Sequence, residues 1–209
     1  MKTYTNEDLR NQRACYDPVI YCEEGKGYTL LDYLNHDTCP AKDRIWCVTR
    51  FLDDRSNRLF AVWCAREVLN IAKGHDLDSL RAIGVAERFA NGAPLHNELA
   101  QAHLVVRHKM CNNIGINYIH QAACAASYDN ISASIYDATS IAVDAAGYAF
   151  KVEHPVAATY DSSSVTTYDA NALSYEDYHD ARDIACRNER KKQIEKLKEE
   201  IKAGNWTEK

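Results

Sequence analysis

His108 and Cys111 stand three residues apart, and His120 and Cys124 four apart. On helices those intervals put each pair on one face, and two such faces in apposition would offer a tetrahedral zinc ion two imidazoles and two thiolates. The wider cysteine pattern favours plain packing. The eight cysteines, at 15, 22, 39, 47, 64, 111, 124 and 186, form no Cys-x-x-Cys pair. Most fall inside apolar helical runs, as Cys47 does in Ile45-Trp46-Cys47-Val48 and Cys64 in Val62-Trp63-Cys64-Ala65, where a thiol acts as a small hydrophobe. No metal or other cofactor is therefore expected. A second chemistry is phosphate binding, for which Arg44, Arg50, Arg55, Arg58 and Arg66 form the densest arginine cluster in the chain. Asp43, Asp53, Asp54 and Glu67 are interleaved with them, so internal ion pairs are the simpler expectation.

Catalytic patterns are not indicated. The adjacent carboxylates Asp53-Asp54 and Glu23-Glu24 sit in predicted turns, where neighbouring side chains rarely converge on one substrate atom. The chain has no phosphate-cradling glycine loop, nucleophile elbow or His-Glu-x-x-His, and nothing singles out one cysteine as a nucleophile. The expectation is a protein that works without turnover.

The most unusual pattern is the dipeptide Tyr-Asp. It occurs as Tyr128-Asp129, Tyr136-Asp137, Tyr160-Asp161 and Tyr168-Asp169, the members of each couple eight residues apart. Spacing of that kind keeps tyrosine on a slowly drifting helix face, and the intervening Ala and Ser let helices approach closely. One reading is interior tyrosines with Asp on the wet side. The other is a binding surface from Tyr128 to Tyr178, where Tyr supplies contact area at low entropic cost and Asp meets basic groups of a partner.

Periodicity predicts the elements that position these residues. A short helix begins at Asn6. Asp17 caps a turn that starts at Pro18, Gly25-Lys26-Gly27 is a turn, and Leu30 to Leu34 is helical. Ile45, Val48 and Leu52 mark a helix over about 41–53, Asp54-Arg55-Ser56 a turn, and 57–73 a central helix apolar over most of its circumference. Further helices follow Asp76 and Pro94, ending at Asn91-Gly92 and near Asn112. A last helix, about 174–203, carries one apolar seam of Ile194, Leu197 and Ile201, which suits its own domain or a second copy of the chain equally. The fold expected is all-α, an antiparallel multi-helix array in one domain over 1–209. Its parts are a compact core (1–114), a Tyr/Asp-rich helical tract (115–185) and a basic C-terminal helix (186–209).

At 209 residues, with 46% apolar and 26% charged side chains, the chain has ample material for a core. Its net charge of −5 conceals a partition. Residues 1–124 hold 15 basic and 15 acidic side chains, 125–185 hold two against ten, and 186–209 hold eight against five. Bulk positive charge for nucleic acid is absent, and the acidic tract is modest for imitating a duplex. No secretory signal and no apolar run of membrane-spanning length occurs, so a cytoplasmic protein with reduced cysteines is expected, without membrane attachment.

The order Leu59-Phe60-Ala61-x-x-Cys64-Ala65, then Ala82-Ile83-x-x-Ala86-x-x-Phe89-Ala90-x-Gly92, then the Tyr-Asp tract, resembles phage- and prophage-encoded immunity proteins of the type-five immunity-like group, over about 41–150. The tract here is poorer in Ala and richer in Ser and Thr, and the basic last helix lies outside that pattern. The resemblance implies an all-helical protein in the host bacterial cytoplasm that neutralises a toxin or a defence effector, such as a CRISPR nuclease, by stoichiometric binding. The alternative from a different class is a sponge for a nucleotide immune signal, of anti-CBASS or anti-Thoeris type, held by the five arginines. A DNA mimic built on the spaced Asp residues ranks third.

Overall fold

The computed structural model describes residues 2–14, 17–72, 76–112, 118–128, 137–146 and 175–209. Its elements begin where side chains satisfy the orphan amides of a first helical turn. Thr5 caps α1 (Asn6–Asn11) and Thr29 caps α2 (Leu30–Leu34), each in a reciprocal box with an Asp three residues on. Asn6, the first residue of α1 as its sequence predicts, is buried and donates from Nδ2 to the carbonyl of Cys22 at 3.1 Å. Asp17 caps a 3-10 turn over Pro18–Ile20, as the Asp-Pro step predicts.

Helices α3 (Ala41–Phe51) and α4 (Asp54–Ala72) are joined by Leu52 and Asp53 alone. The predicted turn at 54–56 is therefore helical, because Asp53 acts as the cap: its Oδ1 accepts from the Ser56 amide at 2.7 Å. Asp76 caps α5 (Leu77–Ala90), which ends at Asn91 before Gly92 at φ +92°. Helix α6 (His96–Asn112) returns antiparallel to α5. Arg88–Glu98 at 3.0 Å marks the register at one end, and Lys109 paired with Asp76 and Asp78 at 2.8 and 2.5 Å marks it at the other.

Helix α7 (Tyr118–Ala126) packs against α4, α5 and α6, and α4 also packs on α5. Ala122, Ala123, Cys124, Ala125 and Ala126 are all buried, so three neighbours approach one short helix closely on every side. The core thus runs past residue 114 into the start of the Tyr/Asp-rich tract. A helix over 137–146, α8, buries Ala138, Ala142 and Ala145. The last helix, α9 (Tyr175–Lys202), packs on α2 and α3. Its Ile194 and Leu197 belong to the same apolar cluster as Phe60 and Val68 of α4, so the seam is used within the chain. The chain end returns beside the α3–α4 junction, with the Asp53 amide donating to the Thr207 carbonyl at 2.9 Å.

The all-α expectation holds: among the described residues there are helices, turns and two isolated bridges, Tyr4 with Tyr28 and Leu52 with Glu208, and no strand. Among them no helix is long and apolar enough to cross a membrane.

Candidate functional site

The five arginines diverge. Arg44 donates to the Leu34 carbonyl at 3.0 Å and pairs with Asp37 at 3.4 Å, and Arg50 lies over the Trp46 ring, 5.1 Å from its centre. Arg55 donates to the Asn205 carbonyl and to Asn91 Oδ1, both at 3.0 Å, and Arg66 pairs with Glu87 at 2.5 Å. Arg58, only 5% exposed, crosses from α4 to the end of α7. There it donates to the carbonyls of Tyr128 at 2.7 Å and Ala126 at 3.5 Å, with its guanidinium 5.1 Å from the centre of the Phe89 ring. The carboxylates nearest in sequence are used elsewhere: Asp53 caps α4, Glu67 meets Lys192 at 3.6 Å and Asp54 meets Lys209 at 3.9 Å. One anion is therefore not held by all five arginines.

Of the Tyr-Asp residues, the structure describes Tyr128 and Asp137. Asp129, Tyr136, Tyr160, Asp161, Tyr168 and Asp169 lie outside the described residues. Tyr128 is half-buried, its ring 4.9 Å from that of His103, and burial pushes its hydroxyl pKa up. Asp137, on α8, is also half-buried, and burial raises its carboxyl.

His103 escaped the sequence reading, although its four-residue step from Leu99 puts it on the inner face of α6. Its Nδ1 lies 3.2 Å from Ser127 Oγ and 3.8 Å from Cys124 Sγ. A Ser-His pair invites a nucleophilic reading, and the proton count opposes it. Ser127 Oγ gives its one proton to a carbonyl of α7, Ala123 at 2.8 Å or Cys124 at 3.0 Å, so it accepts from His103 Nδ1 rather than donating to it. Burial also lowers the His103 pKa, which keeps the ring neutral.

Of the four residues spaced for zinc, the structure describes the side chains of three. His108 is exposed on α6, the side chain of Cys111 lies outside the described residues, His120 is buried with Nε2 3.4 Å from Asp76, and Cys124 faces His103. Among the described residues no group of three or more His, Cys, Asp or Glu is placed to hold a metal ion. The described cysteines 22, 39, 47, 64, 124 and 186 are free thiols, all but Cys186 fully buried. Burial pushes the Cys39 thiol up to about 12 and those of Cys47 and Cys64 well above their ordinary range, which disfavours a nucleophilic thiolate.

One buried carboxylate stands out. Glu189 of α9 is 2% exposed, its Oε1 has no hydrogen-bond partner, and Oε2 lies 3.6 Å from Lys192. Burial raises its pKa, Lys192 opposes that rise, and Glu67 reinforces it. A carboxyl raised in the fold contributes its full stability while protonated, below the unfolded value, and loses it as pH climbs through the folded one. Glu189→Gln should therefore leave urea stability near pH 4 unchanged and raise it at pH 8 by about 1–2 kcal/mol. An equal effect at both pH values would show that ionisation of Glu189 is not what costs stability.

The paired helices α5 and α6 carry exposed aliphatic side chains: Leu77 is 81% exposed, Leu104 54%, Val105 44% and Leu80 40%. The register of the two helices sets Leu80 across from Val105. Leu104 follows His103, whose ring lies 4.9 Å from that of Tyr128, the first tyrosine of the Tyr-Asp series. The exposed aliphatics thus form a ridge on the same helix pair that packs this tyrosine.

Compared with protein-family models, curated proteins and solved structures, the chain matches none.

Proposed function

We propose that this all-helical protein acts by stoichiometric binding of another protein, through the α5–α6 ridge and the Tyr128 edge of the acidic tract. The observation that carries the reading is the ridge itself. Large aliphatics scattered singly over a surface are ordinary, whereas four on two packed helices mark a contact surface. Tyr128 adds an aromatic on the same helix pair, the residue type that dominates binding energy at interfaces. The described side chains suited to chemistry fit the same reading: burial raises the thiols of Cys39, Cys47 and Cys64, and His103 donates to Ser127. In keeping with the resemblance to phage immunity proteins, the proposed partner is a bacterial toxin or defence effector, met in the bacterial cytoplasm.

The test is affinity capture from bacterial lysate, identification of the retained protein, and titration of that purified protein against wild type and a Leu80→Glu/Leu104→Glu variant. The expected result is a one-to-one complex that the double variant weakens at least about thirtyfold, from two contacts of over 1 kcal/mol each. Its melting temperature should stay close to that of wild type, because exposed positions carry little stability. Equal affinity of both proteins would remove the ridge from the interface.

A further inference from the structure

Helix α4 presents Arg55, Leu59, Trp63 and Arg66 on one face, at helical intervals. With α9 and Trp206 beyond it, that face walls a groove of about 320 Å³, in the range of small-ligand sites. Its charges are unequally balanced. Arg66 is held by Glu87 at 2.5 Å and Lys196 by Glu200 at 2.5 Å. Both partners of Arg55, the Asn205 carbonyl and Asn91 Oδ1, are neutral, and among the described residues no carboxylate pairs with it. The groove lining therefore holds three cations against two carboxylates, with Asp53 acting on Arg55 only at longer range, and the Arg55 guanidinium at that end has five N–H donors.

We propose that this groove binds a nucleoside diphosphate, with the base against Trp63 and the phosphates at Arg55. Indole faces stack flat heteroaromatic rings of any base, and guanidinium takes phosphate oxygens in pairs. Trp63 and Arg55 are eight residues apart, about 12 Å along α4, a separation suited to a ligand with its ring at one end and its anion at the other. Glu87 and Glu200 set the direction: their carboxylates repel phosphate from the Arg66 and Lys196 end and accept from sugar hydroxyls or an exocyclic amine. This site is separate from the α5–α6 ridge and does not depend on it.

The chain has three tryptophans, and Trp46, on α3 under Arg50, does not line the groove, so the three indole N–H signals of ¹⁵N-labelled wild type contain their own control. Titration with ADP should move the Trp63 and Trp206 signals saturably and leave that of Trp46 in place. Adenosine and pyrophosphate, tested separately, should each bind at least about tenfold more weakly than ADP, since each loses one half of the contact. Arg55→Gln should weaken ADP by about tenfold and leave adenosine unchanged. No indole shift at millimolar ADP, equal movement of all three signals, or adenosine binding as tightly as ADP would each overturn the proposal. If Arg55→Gln disturbs the fold through Asn205, the wild-type comparison of ADP with its two halves decides alone.

Discussion

Replacing Leu197 with Ala should cost about 3 kcal/mol of folding stability, with the whole chain still unfolding in one urea transition. Leu197 lies on α9, in the basic stretch that composition sets apart from the rest, yet it is fully buried. Ile194 beside it is 3% exposed, and beyond the helix Trp206 meets the Phe60 ring edge-on at 5.6 Å. The last helix is therefore built into the same core as α4, and a cavity at Leu197 forfeits packing in that shared core. Exposed Lys191, two turns away, supplies the control: Lys191→Ala should change stability by no more than about 0.5 kcal/mol. A Leu197→Ala loss as small as that, or a separate early transition for α9, would mean that the helix is an appendage rather than a member of the core.

The amphipathic stripe does not by itself name its partner, and α9 illustrates the gap. Ile194, Leu197 and Ile201 predict the helix and its apolar seam, but a seam that narrow fits its own domain and a second copy equally well. The packing of α9 on α2 and α3, which buries Ile194 and Leu197 in the shared core, is what uses the seam within the chain. Local signals fared differently. Asp17-Pro18, Asp76 and Asn91-Gly92 act through bonds to residues two to four positions away, so their types suffice to place helix ends. The link at Leu52-Asp53 depends on distant structure in a related way. Asp53, Asp54 and Ser56 all suit a turn, and which of them caps is settled by the tie of the 53–56 turn to Thr207. In the candidate sites the arginines were visible and their roles were not. A guanidinium reaches far enough to choose partners on other helices, so Arg58 ends on α7 and Arg66 on Glu87 of α5, past the nearer carboxylates. His103 was hidden because a lone histidine on an apolar face has no spacing signature.

Arg58→Ala should be about as damaging as Leu197→Ala, at about 3 kcal/mol, for a polar rather than an apolar reason. Of the last α7 carbonyls, Ala123 and Ala125 accept from the Ser127 and Tyr128 amides and Cys124 is within reach of Ser127 Oγ, which leaves Ala126 at an end where the helix dipole concentrates negative charge. Arg58 meets that end, donating to the Tyr128 and Ala126 carbonyls from a site only 5% exposed and laying its guanidinium over Phe89. Removing it strands buried acceptors beside a void between α4 and α7. Arg58→Lys should recover only part of the loss, because a single ammonium lacks the planar fork that reaches two carbonyls while stacking on a ring. The two variants also separate stability from placement. Tyr128 is positioned through its own backbone carbonyl, so Arg58→Lys should speed amide exchange around 126–128 more than at α9, with the fold otherwise intact. Full recovery of stability by lysine, or exchange that quickens uniformly across the chain, would show that Arg58 contributes bulk and charge rather than fixing the corner where the Tyr-Asp series begins.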